Sequence, residues 1–197
     1  ELKKERAIPE VPVYLDSPMA VDATHIFLKH REQTILSEQA CRELNRATTY
    51  INLREDSKGL DTDLETPKII ISASGMATGG RILHHIKTYA SDSKNTLLFT
   101  GYQSIGTRGA EITSGASQIK IHGQLVPIQA EVIALHNLSA HADAEELLKW
   151  AQHFQHPPKT VFLTHGEQDS REAFGKILKE RLGWRYHIPQ YQETISL

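Results

Sequence analysis

Short apolar runs alternate with amphipathic stretches along most of the chain, which is the pattern of an α/β protein. A β-branched run at 68–72 lies between Pro67 and a glycine-rich stretch and predicts a buried strand. An amphipathic segment at 81–90 predicts a helix, and an apolar run at 95–100 predicts the next strand. Strand, helix and strand within about thirty residues predict a right-handed βαβ unit with a parallel sheet.

The same reasoning predicts further elements on both sides of this unit. Strands are predicted at 11–15, 131–135 and 160–164, and a hairpin at 118–122 and 125–128 with a turn at Gly123-Gln124. Helices are predicted at 19–31, 35–47, 143–155 and 169–182, with Asp143 and Asp169 as N-caps and Gly183 as the stop. The helix at 143–155 is expected to bury Leu147, Ala151 and Phe154. The polar stretch at 50–67 is predicted to be irregular.

Composition adds few constraints to this outline. The chain has 197 residues and a formal net charge of −2, so no overall basic field indicates a nucleic-acid partner, although a local basic groove stays compatible with this balance. The single Cys41 excludes an internal disulfide and fits a cytoplasmic location. No apolar stretch approaches the length of a membrane span, so no membrane partner is expected. The change of texture near 123–132 predicts an internal domain boundary.

Two histidines lie where α/β folds place their chemistry. His165 follows an apolar strand-like run, and Gly166 after it lets the backbone turn away and leave the imidazole facing outward. Neutral imidazole is a good zinc ligand, so His165 is a candidate metal ligand, with Glu167 placed to orient the ring. A histidine that only ends a strand is an equally weighted alternative.

His141 precedes the predicted helix cap Asp143 by two residues, between two alanines. An imidazole in that position can donate a proton to a phosphate oxygen or to a leaving group, near the positive end of the helix dipole. The alternative is a histidine in a surface loop, with Asp143 acting only as a cap. His84 and His85, inside a predicted helix, are interpreted as packing or surface residues.

Two glycine-rich loops follow the predicted strands at 68–72 and 95–100. Such loops offer backbone N–H groups to an anion, and the spacing fits neither a dinucleotide fingerprint nor a phosphate-binding P-loop. Two such loops on one rim predict a groove for a phosphodiester chain, with Tyr102 available to stack on a base; tight turns without a ligand are the alternative. The residues predicted to bind RNA or phosphate are Ser72, Ser74, Gly75, Gly79, Gly80, Arg81, Tyr102, Gln103, Thr107 and Arg108.

Taken together, these motifs resemble the β-CASP branch of the metallo-β-lactamase-fold nucleases, which includes ribonuclease J and the 3′-end-processing endonuclease of pre-mRNA. The resemblance covers nearly the whole chain and is closest to bacterial and archaeal members. It rests on an ordered series of motifs: Ser72-Ala73-Ser74-Gly75-Met76 with Gly79-Gly80-Arg81, Gly101-Tyr102-Gln103 with Gly106-Thr107-Arg108-Gly109, Lys120-Ile121-His122-Gly123, Ser139-Ala140-His141-Ala142-Asp143 and Thr164-His165-Gly166-Glu167.

The resemblance implies a fold and a set of roles. Residues 1–125 would be the later portion of a β-CASP domain, a parallel Rossmann-like sheet with flanking helices. Residues 126–197 would be the returning end of a metallo-β-lactamase αββα sandwich. His141 would be a general acid at the scissile phosphate, and His165 a ligand of one of two zinc ions in an enzyme that hydrolyses single-stranded RNA. Asp143 and Glu167 would support these histidines.

One departure from the family pattern is decisive for activity. The His-x-His-x-Asp-His run, the further metal ligands and the family's first acidic motif are absent from the sequence, and Asp16 belongs to the first predicted strand and does not align with that acid. We therefore expect this chain to be a C-terminal part that is inactive alone, holds little or no zinc and needs its own N-terminal half. A homodimer stays open. A non-catalytic RNA-binding or scaffold module is the alternative function, and the glycine spacing argues against a Rossmann-type nucleotide-binding domain.

Overall fold

Short strands and helices alternate through the chain in a computed structural model that describes residues 2–3, 5–137 and 141–196. The described residues form two compact units, Glu1–Ser139 and Ala140–Leu197. The strands are β1 (Val13–Leu15), β2 (Thr49–Tyr50), β3 (Ile69–Ile71), β4 (Thr96–Phe99), β5 (Gln118–Ile121), β6 (Gln124–Pro127), β7 (Glu131–Ala134), β8 (Val161–Phe162) and β9 (Tyr186–His187). The helices are α1 (Pro18–Lys29), α2 (Glu38–Ala47), α3 (Arg54–Thr62), α4 (Ile82–Tyr89), α5 (Arg108–Thr113), α6 (Ala144–Ala151) and α7 (Gln168–Leu182).

Parallel pairing dominates the sheets of the N-terminal unit. One sheet has the order β2-β1-β3, and a second pairs β4 with β7, all parallel. The α/β class is therefore as predicted, but the βαβ pairing is not, because β3 bonds to β1 while β4 bonds to β7. β5 and β6 form the predicted antiparallel hairpin. Its turn is His122-Gly123, one residue earlier than expected, and both residues have positive φ, at 47° and 79°, as a tight two-residue turn requires.

Helix caps define the ends of several elements in this unit. Ser17 caps α1 and Thr107 caps α5, each accepting a hydrogen bond from the backbone three residues on. The predicted irregular stretch at 50–67 instead contains α3. That helix buries only Ser57 and Leu60, so its apolar stripe is too narrow to give a clear helical period.

The main hydrophobic core of the N-terminal unit lies between α4, α5, β4 and the β5–β6 hairpin. Its fully buried side chains include Ile86, Ile112 and Ile121. These residues place α4 and α5 in one core, and each of those helices follows one of the two glycine-rich loops. The core therefore fixes the positions of both loops.

The C-terminal unit packs α6 and α7 around Leu148, Ala151 and Leu178. Asp143 and Glu146 form the predicted capping box. The helix ends at Ala151, short of 155, and Leu147 and Phe154 are exposed while Leu148 is buried, which corrects the predicted inner face.

Helix α7 and the β8–β9 pair complete this unit. The N-cap of α7 is Glu167, so Asp169 lies in its first turn and is not the cap, whereas Gly183 ends it as predicted, at φ 69°. A Cβ on Gly175 would lie 2.3 Å from the Tyr186 ring, so only glycine lets α7 approach β9 this closely. Within the described part of the chain, no helix has the length and apolarity that crossing a membrane requires.

Candidate functional site

The structure brings the two glycine-rich loops, residues 72–81 and 101–109, into direct contact. The backbone N–H of Gly109 donates to Met76 O at 2.9 Å, and Gln103 Nε2 donates to Gly75 O at 3.1 Å. A Cβ on Gly109 would lie 1.7 Å from Gln103 Oε1 and 3.0 Å from Met76 O, so a side chain there would displace the Gln103 amide. The loops therefore form one surface even though the strands before them belong to different sheets.

Internal hydrogen bonds shape the loop at 72–81. Ser74 Oγ accepts from the N–H of Thr78 at 3.0 Å, and Ser74 N–H donates to Gly79 O at 3.2 Å. Ser72 Oγ donates to the backbone oxygen of Asp16 at 2.8 Å. The two predicted site serines thus use their hydroxyls to fold the loop. Gly80 closes it with φ 80°.

Both predicted phosphate-binding arginines already have partners in the protein. Arg81 donates through NH1 to Asp16 Oδ1 at 2.5 Å and to Ile51 O at 3.0 Å, and through NH2 to Asn52 O at 2.8 Å. Arg108 donates through Nε to Lys120 O at 2.8 Å and through NH1 to Thr78 O at 3.3 Å. The hydrogen bonds of both arginines stabilise the loops. Contact of either arginine with RNA stays a prediction.

The second loop offers an exposed ring beside a buried amide. Tyr102 is 58% exposed. Gln103 Oε1 is buried and has no hydrogen-bond partner among the described residues. Thr107 Oγ1 donates to Ser104 O at 2.6 Å and caps α5. Of these three predicted site residues, Tyr102 alone presents a large exposed side chain.

A polar cluster, of which only Arg81 was a predicted site residue, lies beneath the first loop. It consists of Asp16, Ser57, Asp61, Arg81 and His85, and Asp16 is 0% exposed. Asp16 Oδ2 accepts from Ser57 Oγ at 2.6 Å and from His85 Nε2 at 2.7 Å. His85 Nδ1 lies 2.6 Å from Asp61 Oδ1. A histidine interpreted from sequence as packing or surface is therefore the centre of a charged cluster.

The electrostatics of this cluster favour its charged form. Burial opposes ionisation of Asp16 most strongly, but hydrogen bonds from Ser57, Arg81 and His85 outweigh it and lower the pKa of the Asp16 carboxyl. Burial likewise works against the charged imidazole of His85, yet the contacts with Asp61 and Asp16 prevail and raise its pKa. Sequence spacing gives one signal that was missed, since Arg81 and His85 are four residues apart and share one face at the start of α4.

His165 lies on the surface of the C-terminal unit, just after β8. Its backbone has φ 62° and Gly166 follows with φ 82°, so two successive left-handed residues turn the chain outward. A non-glycine residue in this region is uncommon and carries strain of the kind found at functional sites. The exposed imidazole borders a cavity of about 500 Å³, whose other lining residues include Thr164, Arg171 and Tyr191. Glu167 follows as the N-cap of α7 without a side-chain capping bond.

His141 is exposed and stands immediately before the capping box of α6. Asp143 Oδ1 accepts from the N–H of Glu146 at 2.9 Å, and the Asp143 N–H donates to the Glu146 carboxylate at 3.0 Å. The carboxylate of Asp143 therefore fixes the helix start that follows His141. The neighbouring motif residues Ser139 and Ala140 lie outside the described residues.

The described residues do not complete a zinc site. No group of three or more His, Cys, Asp or Glu side chains in residues 2–3, 5–137 and 141–196 converges on a point where a metal ion could sit. The His85 cluster cannot serve, because its two carboxylates contact opposite ring nitrogens and do not converge. His165 is thus a single candidate ligand, and the described residues do not provide the three or four ligands that a zinc site needs.

Two family models match the chain and cover most of it. The Beta-Casp domain matches residues 1–112, and the Zn-dependent metallo-hydrolase RNA specificity domain matches residues 125–189. The chain belongs to the β-CASP family of metallo-β-lactamase-fold, RNA-processing nucleases. The family resemblance inferred from the motifs is therefore confirmed. The predicted division at 125/126 between the two domains stays a prediction. The boundary between the two compact units lies elsewhere in the sequence, at 139/140.

Curated relatives carry two kinds of name. The chain is 37% identical to Ribonuclease TTHA0252 of Thermus thermophilus, over 96% of this chain and 44% of that protein. It is 32% identical to the transcription termination factor FttA of Methanosarcina mazei, over 96% and 31%. It is 30% identical to an RNase J-like protein of Methanocaldococcus jannaschii, over 91% and 41%. The chain thus spans less than half the length of these relatives.

Proposed function

We propose that this chain is part of a zinc-dependent ribonuclease that hydrolyses phosphodiester bonds of single-stranded RNA. The observation that carries the proposal is His165, an exposed imidazole held at a strand end by left-handed backbone, within a segment that matches a Zn-dependent metallo-hydrolase RNA specificity domain. The name of the bacterial relative, a ribonuclease, supports the same class.

His165 is proposed to contribute one ligand to one of two zinc ions in the full-length enzyme. Zinc in such a site would supply an activated water for attack on phosphorus. The remaining ligands would come from an N-terminal metallo-β-lactamase half, because the described residues do not complete the site. The proposal includes an αββα sandwich formed with that half.

His141 is proposed to protonate the departing oxygen. Its position before α6 supports this role, because the N-terminal end of a helix carries partial positive charge and attracts the phosphate. The capping box of Asp143 and Glu146 fixes where the helix starts and so limits the positions open to His141. A proton donor of this kind contributes about 10²–10⁴-fold to a rate.

The paired glycine-rich loops are proposed to bind the RNA strand. Tyr102 is exposed and able to stack on a base, and backbone N–H groups of the loops are suited to phosphate oxygens. Arg81 and Arg108 support the loops without contacting the RNA in this proposal. The guanidinium of Arg81 donates three hydrogen bonds, to Asp16, Ile51 and Asn52.

The test compares the chain alone with a full-length protein that includes an N-terminal half. We expect the chain alone to hold substoichiometric zinc and to leave a labelled single-stranded RNA intact, and the full-length protein to hold zinc and degrade the RNA. Metal analysis by mass spectrometry and gel-resolved degradation measure both. Stoichiometric zinc with turnover in the chain alone would overturn the proposal.

A non-catalytic RNA-binding module is the second candidate. Relatives named transcription termination factors favour keeping it, since that name describes an effect on transcription and not hydrolysis. RNA binding without degradation by the zinc-loaded full-length protein would favour this candidate.

A further inference from the structure

Asp16 contacts both ends of the first glycine-rich loop, residues 72–81. Its backbone oxygen accepts from Ser72 Oγ at 2.8 Å, at the start of the loop. Its carboxylate Oδ1 accepts from Arg81 NH1 at 2.5 Å, at the end of the loop. A single residue directly after β1 therefore contacts both the first and the last residue of the loop.

His85 contacts the second carboxylate oxygen of Asp16, and Asp61 in turn contacts His85. His85 Nε2 lies 2.7 Å from Asp16 Oδ2, and His85 Nδ1 lies 2.6 Å from Asp61 Oδ1. A neutral imidazole has one N–H and one lone pair, and a lone pair facing a carboxylate oxygen at this distance is repulsive. Because both ring nitrogens face carboxylates, the geometry favours the doubly protonated imidazolium.

We propose that Asp16, Asp61 and His85 are positioning residues that hold the loop at 72–81, through Ser72 and Arg81, in the conformation that binds RNA. This inference rests on the proposed RNA-binding role of that loop. None of the three residues touches the RNA in this scheme. They act by fixing Arg81, which also donates to the backbone oxygens of Ile51 and Asn52 and so joins the loop to the segment before α3.

The protonation of His85 sets the charge balance of the cluster that holds the loop. With His85 charged, two carboxylates face two cations, and loss of its proton leaves one buried carboxylate uncompensated. The other ionisable groups beside the cluster are Tyr89 on the same helix, which donates to Leu60 O, and Lys68, which pairs with Asp63. His85 has its pKa raised in the folded chain, so its stabilising contribution is complete below the unfolded value of 6.5 and is lost as pH rises through the folded value.

Amide hydrogen exchange of the chain tests directly whether the cluster holds the loop at 72–81, with His85→Gln as the variant. His84→Gln is the matched control, since His84 is the neighbouring residue on α4, is exposed, and contacts the His122 ring at 5.0 Å. We expect exchange at Ala77, Thr78 and Gly109, whose N–H groups donate to loop acceptors, to accelerate about tenfold or more in His85→Gln. Amides of the β5–β6 hairpin should stay unchanged. Equal acceleration at both sets of amides, or none at either, would overturn the proposal.

RNA binding at several pH values gives the functional readout. We expect binding of a labelled single-stranded RNA by the wild type and His84→Gln to weaken as pH rises through the raised pKa of His85, and binding by His85→Gln to be weak and insensitive to pH over the same range. An identical pH profile in all three proteins would overturn the positioning role. If no protein binds RNA, the proposed function fails, and the exchange experiment still decides whether the cluster holds the loop.

A measurement on the wild-type chain covers the case in which His85→Gln does not fold. Nitrogen-15 NMR of the imidazole distinguishes the doubly protonated ring from either neutral tautomer. We expect both nitrogens of His85 to carry protons in most molecules at pH 6.5, because its pKa is raised above that value. A neutral tautomer at His85 at that pH would overturn the proposal.

Discussion

The charged side chains of the glycine-rich loops in the N-terminal unit and the motif histidines of the C-terminal unit are placed differently. In the N-terminal unit the arginines and one histidine are hydrogen-bonded within the protein, and Asp16 is fully buried among them. In the C-terminal unit His141 and His165 are exposed and stand at the ends of secondary-structure elements. The difference separates residues that shape a surface from exposed residues at the ends of helices and strands. Chemistry-bearing side chains in a glycine-rich loop are thus not, by type alone, ligand-binding residues.

The exposed histidines should give the largest effects. In the full-length enzyme, His141→Ala is expected to cut turnover by about 10²–10⁴-fold, because a general acid is lost, while zinc content and RNA affinity stay near the wild-type values. His165→Ala should lower zinc content as well as rate, because a metal ligand is lost. Steady-state kinetics and metal analysis distinguish the two.

An activated phosphodiester sharpens the same test. A nitrophenolate leaving group needs no proton, so it should restore much of the rate in His141→Ala and little in His165→Ala. Equal loss of zinc in both variants, or rescue of neither, would contradict the separate roles of the two histidines.

The buried carboxylate should give the next largest effect. Asp16→Ala removes the carboxylate partner of Arg81 and one of the two carboxylate partners of His85, and leaves one cation of the cluster without compensation. Removing one member of a buried ion pair costs about 3–5 kcal/mol of the free energy of unfolding. Urea denaturation of the chain measures it. A loss of only a few tenths of a kcal/mol would mean that the cluster contributes little to the fold.

The exposed cap of the C-terminal unit should give a smaller loss. Asp143→Ala removes the side-chain acceptor for the Glu146 N–H, and loss of such a cap costs about 1 kcal/mol. The same denaturation experiment applies, with Asp143→Asn as the control because asparagine caps nearly as well. If Asn and Ala variants lose equal stability, the charge of Asp143 and not its capping bond is responsible.

The smallest expected effect is an unchanged salt dependence of RNA binding in Arg108→Ala. Its Nε and NH1 donate to backbone oxygens of Lys120 and Thr78, so we expect weaker binding through a looser loop, without loss of a phosphate contact. A direct contact would instead reduce the log–log salt slope by about 0.7. Titrations between low and moderate salt distinguish these outcomes, and a reduced slope would restore the sequence-based assignment of Arg108 to RNA.

The sequence predicted the parts of the molecule that depend on local pattern. Strand β3, the hairpin β5–β6 and the capping box at Asp143 follow from apolar runs, turn residues and cap spacing. The predicted burial of β3 was wrong, because Ile69 and Ile71 are 40% and 49% exposed. The family followed from the ordered motifs. The polar cluster could not be predicted in this way, because Asp16 and His85 are 69 residues apart and α3, which supplies Asp61, has few buried apolar side chains. Local pattern contains no information on which distant carboxylate an arginine will meet.

The contacts of Asp16 also bear on when the glycine-rich loop is formed. Arg81 and Asp16 are 65 residues apart, and His85 and Asp16 are 69 apart, so their contacts close long stretches of chain. Closing such stretches costs conformational entropy before any contact compensates for it, and non-local contacts slow folding. We therefore expect the loop at 72–81 to reach its final shape only after β1, α3 and α4 have come together. Its geometry depends on these distant contacts as well as on the hydrogen bonds inside the loop and on Gly80.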